Sequence, residues 1–121
     1  MYSAEVLDHF EHPRNAGTLS NADAAVRLEN PACGDQLELT LRIAGGRIDA
    51  IRFRAKGCVA AVACGSALTE RATGKTLGEA ESLSHEEIVA TVGGLPASSM
   101  HASHLAIDAL RAALRAVLAK N

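Results

Sequence analysis

The chain has 121 residues, and 48% of them are apolar, which is enough for one domain with a single modest core. Only Tyr2, Phe10 and Phe53 are aromatic, and the formal net charge is −2. Both facts argue against a nucleic-acid partner, because single strands stack their bases on aromatic rings and duplexes need cations against their phosphates.

The N-terminal residues lack the features of a targeting sequence. Glu5 and Asp8 lie where a secretory signal needs a positive start and an apolar run. The longest weakly polar stretch, residues 58–68, is too short to span a bilayer. We therefore expect a cytoplasmic protein without a membrane partner. In that compartment three reduced cysteines are more typical of metal binding or reactivity than of a disulfide framework.

The first third of the chain predicts little regular structure. A short helix is expected over residues 3–10, and it ends before His12 and Pro13. Residues 18–34 are expected to be mostly irregular, with a short strand near residues 25–28.

Residues 36–56 predict a β-hairpin. Residues 36–43 alternate polar and apolar side chains without a break, as a half-buried strand does. Gly45 and Gly46 form the turn, and a second strand runs over residues 47–56. Facing residues then have numbers that sum to 91, with a β-bulge expected near residues 50–51, where the apolar phase slips.

That register predicts that Cys33 and Cys58, whose numbers also sum to 91, are neighbours. The Cα atoms of opposed residues lie about 4.5–5.5 Å apart, and a one-residue bulge would still leave the two cysteines close. A disulfide between them is the alternative.

The second half predicts helices. Residues 58–72 form a helix closed by Gly74, and two capping boxes follow, over residues 76–79 and 84–87. After a break at residues 93–96, a long helix runs over residues 98–120. Its apolar stripe comprises Ser103, Ile107, Leu110, Leu114, Val117 and Leu118. The expected fold class is α+β: a small antiparallel sheet of about three strands packed against helices, with a long C-terminal helix.

Four residues at one end of this fold are candidate metal ligands: Cys33, Asp35, Cys58 and His101. Two thiolates, a carboxylate and an imidazole suit zinc or an iron–sulfur cluster. Because Cys58 lies at a helix N-terminus, its thiolate is expected to be favoured. Asp35 is also explained as a turn cap and His101 as a solvated residue. The remaining cysteine, Cys64, is expected to be a core residue.

Three motifs stand out along the chain: Asn30-Pro-Ala-Cys-Gly-Asp35, Lys56-Gly-Cys58 and Met100-His101. With them the sequence resembles the NifU-like (IscU-type) iron–sulfur cluster assembly scaffolds, and the resemblance extends over residues 1–121 as a single domain. It implies that the protein is not an enzyme. A [2Fe–2S] cluster would form transiently on Cys33, Asp35, Cys58 and His101 and pass to apo-proteins, and zinc would bind there in the isolated protein.

The resemblance also implies partners: a cysteine desulfurase, apo iron–sulfur proteins and an iron donor. We expect a monomer or a weak homo-oligomer. The chain departs from the family in two places. Ala102 stands where the scaffolds have a third cysteine, and Leu95-Pro-Ala-Ser-Ser99 replaces a segment recognised by an Hsp70-type chaperone, so chaperone binding is not expected.

Two other functions are compatible with these residues. One is a degenerate scaffold paralogue that binds zinc or iron and interacts with a desulfurase. The other is a thiol enzyme with Cys58 as nucleophile and His101 as base, although the sequence offers no separate oxyanion motif.

Overall fold

A computed structural model describes residues 1–120 and has an α+β architecture, as the sequence predicts. In the described residues one short helix precedes three strands, four helices follow them, and a 3-10 turn at Ala97–Ser99 precedes the last helix. The elements are α1 (Ala4–Glu11), β1 (Ala24–Glu29), β2 (Gln36–Ala44), β3 (Arg47–Lys56), α2 (Val59–Ala72), α3 (Leu77–Glu81), α4 (His85–Thr91) and α5 (His101–Ala119).

The sheet is antiparallel with the order β1-β2-β3, so β2 is the central strand. Next to the Gly45-Gly46 turn, Ile43 pairs with Ile48, in the predicted register. Beyond Arg42 the register shifts by one, because Asp49 is an extra residue between Ile48 and Ala50. The bulge therefore lies one residue before its predicted position at residues 50–51.

Helices cover one face of the sheet and bury its apolar side chains. Leu37, Leu39 and Leu41 of β2 point into this core together with Ile51 and Phe53 of β3. Helix α5 packs along β1 and against α2. It buries the predicted stripe and five further residues: Ala102, Leu105, Ala106, Ala109 and Ala113. Leu118 is the exception, because it is 56% exposed.

Side-chain caps set several helix boundaries. Ser3 accepts a hydrogen bond from the N–H of Val6 and starts α1. Thr76 and Glu79 form the predicted capping box of α3. At α4 only half of the predicted box is present: Ser84 accepts from the N–H of Glu87, but the Glu87 carboxylate contacts the Ser84 hydroxyl at 3.4 Å.

A buried polar contact attaches α1 to α2. The imidazole Nδ1 of His9 lies 2.8 Å from the Ser66 hydroxyl, which also accepts a hydrogen bond from the N–H of Arg14. Burial and the nearby Arg14 guanidinium hold the pKa of His9 below its ordinary value. A neutral His9 therefore satisfies Ser66 without a charge in the core.

Among the described residues, no helix combines the length and apolar character needed to cross a membrane.

The contact between α2 and the sheet gives a stability prediction. A Cβ at Gly65 would lie 2.7 Å from Cδ2 of the buried Phe53. The substitution Gly65→Ala should therefore lower the free energy of unfolding by about 1–3 kcal/mol through overpacking. The control Gly78→Ala, in α3, places its Cβ in open space and should be neutral or stabilising by about 0.5–1 kcal/mol. Urea titrations would measure both, and equal effects would contradict the packing argument.

Candidate metal centre

The four predicted ligands come from three separate parts of the chain that meet at one end of the sheet. Cys33 and Asp35 lie in the turn between β1 and β2, which is closed by a hydrogen bond from the N–H of Gly34 to the carbonyl of Asn30. Cys58 is the N-cap residue of α2, directly after β3. His101 is the first residue of α5.

Asp35 lies at the centre of this group and is only 5% exposed. Its Oδ1 accepts a hydrogen bond from the N–H of Cys58 at 3.2 Å. Its Oδ2 lies 3.3 Å from the Sγ of Cys58 and 3.2 Å from Nε2 of His101. One carboxylate thus joins the start of α2 and the start of α5 to the turn that precedes β2.

Three of the candidate ligands form a tight cluster. One ligand atom each from Cys33, Asp35 and His101 lies within 4.8 Å of the others. Cys58 lies outside this mutual cluster but touches it through Asp35. Asp35 is therefore the common neighbour of both cysteines.

The two cysteines are not ladder partners, contrary to the predicted pairing. The pairing of β2 with β3 ends at Gln36 and Lys56, because the chain before Gln36 turns back toward β1. Cys33 lies exposed in that turn, and Cys58 is half-buried. Both are free thiols, so the alternative disulfide is not formed.

The electrostatics of Asp35 favour its charged form. Burial alone would raise the pKa of Asp35, but hydrogen bonds from Cys58, His101 and Cys33 outweigh it and hold the pKa below its ordinary value. The carboxylate is therefore ionised at neutral pH and offers oxygen lone pairs to a cation.

The expectation that the Cys58 thiolate is favoured is wrong for the metal-free protein. Burial raises the pKa of Cys58, and the Asp35 carboxylate raises it further. The backbone N–H groups of Ala61 and Ala60 act in the opposite direction, but they are outweighed. A metal ion would thus have to displace the Cys58 proton.

Gly57 makes the close approach of Asp35 possible. It has a φ of +143°, and a Cβ at this position would overlap the Asp35 carboxyl group. The sequence carries this signal in Lys56-Gly-Cys58, because glycine is the residue type that readily adopts a positive φ. Position 57 therefore positions the site without supplying a ligand.

Three further residues bear on the sequence interpretation. Cys64 is fully buried, as predicted, and burial raises its pKa to about 12. Ala102, at the position of the missing third cysteine, is 2% exposed and belongs to the core. His104 is exposed, stacks on His85 with 3.8 Å between ring centroids and is not part of the three-residue cluster.

The donor set has a defined chemistry. Thiol sulfur, imidazole nitrogen and carboxylate oxygen together suit a borderline-soft ion such as zinc or an iron–sulfur cluster. This group of side chains is also accessible, because Cys33 is exposed and a groove of about 310 Å³ opens beside His101. A bound metal would be reachable by another protein.

Comparison with known proteins gives one family. The model of the NifU-like N terminal domain matches residues 1–121. The iron–sulfur cluster assembly scaffold protein IscU 1 of Archaeoglobus fulgidus is 43% identical over 121 residues, covering 100% of this chain and 79% of the relative. IscU of Escherichia coli K12 is 39% identical over 117 residues, covering 93% and 91%.

A solved structure supports the fold. It belongs to a Fervidobacterium islandicum protein described as an iron–sulfur cluster assembly scaffold for the SUF system. The TM-score is 0.79 at 22% identity, over 93% of this chain and 96% of the other.

The three cysteines should react with iodoacetamide in a fixed order in the metal-free protein. Cys33 should react first because it is exposed, Cys58 more slowly because its raised pKa leaves less thiolate, and Cys64 hardly at all before unfolding. Peptide mass spectrometry at timed intervals measures the order, and in urea all three should react. A Cys58 that reacts as fast as Cys33 would contradict the assigned burial and charge.

Proposed function

Because the chain belongs to the family of NifU-like N-terminal domains, we propose that it is a scaffold that assembles an iron–sulfur cluster and is not itself an enzyme. We further propose that a labile [2Fe–2S] cluster forms on the protein and passes to apo-proteins. The relatives named as iron–sulfur cluster assembly scaffolds support the scaffold role.

The observation that supports the site is the contact of Asp35 with the other three residues. Asp35, Cys33 and His101 offer ligand atoms within 4.8 Å of one another, and the Cys58 sulfur lies 3.3 Å from the same carboxylate. We propose these four residues as the ligands. They provide two thiols, an imidazole and a carboxylate, and the carboxylate is the least suited of the four to an iron–sulfur cluster, which favours thiolates.

The ligand types favour release of the cluster. A permanent cluster is usually bound by four thiolates. Here an imidazole and a carboxylate take the place of two of them, and one of the two thiols, Cys33, is exposed. Such a cluster is held less firmly and is open to attack by the thiols of a recipient, as cluster transfer requires.

The partners follow from this role. We propose a cysteine desulfurase as the source of sulfur, an iron donor, and apo-proteins as recipients, while the segment Leu95-Pro-Ala-Ser-Ser99 argues against a chaperone partner. The isolated protein would bind zinc at the same residues. Residues 1–121 act as one domain, as a monomer or a weak homo-oligomer. The cytoplasm is the proposed compartment, because the thiols must remain reduced.

Anaerobic reconstitution with iron and sulfide tests the proposal. The protein should gain the visible absorption of a [2Fe–2S] centre, with two irons per cluster by elemental analysis. Cys33→Ala and Cys58→Ala should each lower the yield about tenfold or more, as loss of a metal ligand does. The matched control Cys64→Ala removes a thiol from the core and should keep the yield. Binding of one zinc with no visible absorption would contradict cluster assembly.

The substitution Asp35→Ala should lengthen the lifetime of a bound cluster. The Asp35 charge adds to burial in raising the pKa of Cys58, so its removal favours the Cys58 thiolate as a ligand. We expect a half-life several-fold longer, because a metal ligand must stay deprotonated and Cys58 would hold its proton less firmly without the carboxylate. Decay of the visible absorption after addition of a chelator measures it. Asp108→Ala, an exposed carboxylate in the neighbouring groove, is the control. An unchanged lifetime would make Asp35 a structural residue only.

A further inference from the structure

The face of the sheet that the helices leave uncovered has a hollow lined by charged side chains. Arg27 of β1, Gln36 and Glu38 of β2, and Arg54, Ala55 and Lys56 of β3 line this hollow of about 250 Å³. We refer to these residues as the basic hollow. Farther from the metal centre, residues 18 and 19 cross the same face and bond to Glu38 and Thr40, so only the half next to the centre is open.

Three cations of the basic hollow have no partner. Within residues 1–120, the exposed side chains of Arg27, Arg54 and Lys56 make no ion pair and no hydrogen bond. In contrast, Arg42 on the same face is paired with Asp49 at 3.3 Å. Two carboxylates lie near the three unpaired cations, Glu38 in the hollow and Glu29, which accepts a hydrogen bond from Gln36 at 2.8 Å. The three cations still leave a local excess of positive charge on a chain whose formal net charge is −2.

The charges alternate across the strands. In the strand register Glu38 lies opposite Arg27 of β1 and opposite Arg54 of β3, so a carboxylate lies between two guanidinium groups. Neighbouring strands are about 4.8 Å apart, which places the Cα atoms of the two arginines about 10 Å apart. A continuous row of phosphates would meet Glu38 and be repelled by it. A protein surface with carboxylates around a central donor has the complementary pattern.

We propose that the basic hollow is a docking surface for an acidic patch on another protein. The partner's carboxylates would pair with Arg27, Arg54 and Lys56, and a donor at its centre would reach Glu38 and the Gln36 amide. The unpaired cations would also attract such a partner from a distance, since long-range steering depends on uncompensated charge.

The basic hollow adjoins the metal centre. Gln36 directly follows Asp35, and Lys56 lies two residues before Cys58. At about 3.3 Å per residue along a strand, Arg54 is about 13 Å from Cys58. A protein docked on the hollow would therefore extend over the exposed Cys33. That the partner exchanges a cluster rests on the proposed function, whereas the docking does not.

The metal-free protein tests the docking separately from cluster assembly. The probe is the apo form of an acidic plant-type [2Fe–2S] ferredoxin, titrated into the ¹⁵N-labelled chain. Amide signals of β1, β2 and β3 around the hollow should shift, and the affinity should fall as salt is raised from 50 to 300 mM, by about tenfold or more. The variant Arg27→Gln/Arg54→Gln/Lys56→Gln should lose about tenfold or more in affinity.

The matched control is Arg111→Gln/Arg115→Gln/Lys120→Gln, which removes the same charge from two exposed residues of α5 and from its exposed C-cap, Lys120. It should keep the affinity within about threefold. Equal losses in the two variants, or shifts confined to other surfaces, would overturn the proposal. So would absence of binding at 50 mM salt. A short DNA duplex that binds as tightly as the ferredoxin would instead make the hollow a general polyanion site and also overturn it.

Discussion

The carboxylate of Asp35 is buried where the turn after β1, the start of α2 and the start of α5 meet. A buried charge is tolerated only when hydrogen bonds replace its lost water. Here the replacements come from the backbone and thiol of Cys58 and from the imidazole of His101. The need to satisfy one ionised group therefore brings together the side chains that also suit a metal. The same contact keeps Cys58 protonated, so the metal-free site is a stable arrangement of its own.

The sequence predicts most of the fold because its local signals agree with the tertiary structure. The hairpin has uninterrupted period-two alternation and a Gly-Gly turn, and it forms over Gln36–Ala44 and Arg47–Lys56. The long helix has an apolar stripe, and it forms over His101–Ala119. Leu118 follows the stripe but is exposed, because periodicity places a side chain on a face without showing where the covering elements end. The long helix begins at His101, three residues after its predicted start at residue 98, because residues 97–99 form a 3-10 turn.

The candidate site is predictable in its residues but not in its electrostatics. Spacing places Cys33 and Asp35 in one turn and Cys58 and His101 at helix starts, as the structure has them. The helix N-terminus alone favours a Cys58 thiolate, yet burial and Asp35 reverse the direction of its pKa shift. Burial depends on elements far apart in sequence, so no local pattern reveals it. The absence of ladder pairing at Cys33 has a similar origin, since a turn back toward β1 takes the chain out of β2.

The bulge formed by the extra residue Asp49 determines which later side chains of β3 face the core. Ile48 faces the core on one side of the bulge, and on the other side the even-numbered Arg52, Arg54 and Lys56 face solvent. If Asp49 paired with Arg42 in the ladder and formed no bulge, with the Gly-Gly turn kept, each later residue of β3 would move to the position now held by its neighbour. Phe53 would exchange places with arginines, and Cys58 would arrive on the opposite side of the strand. A single bulge far from the metal centre thus keeps the apolar side chains of β3 toward the core and its cations toward solvent.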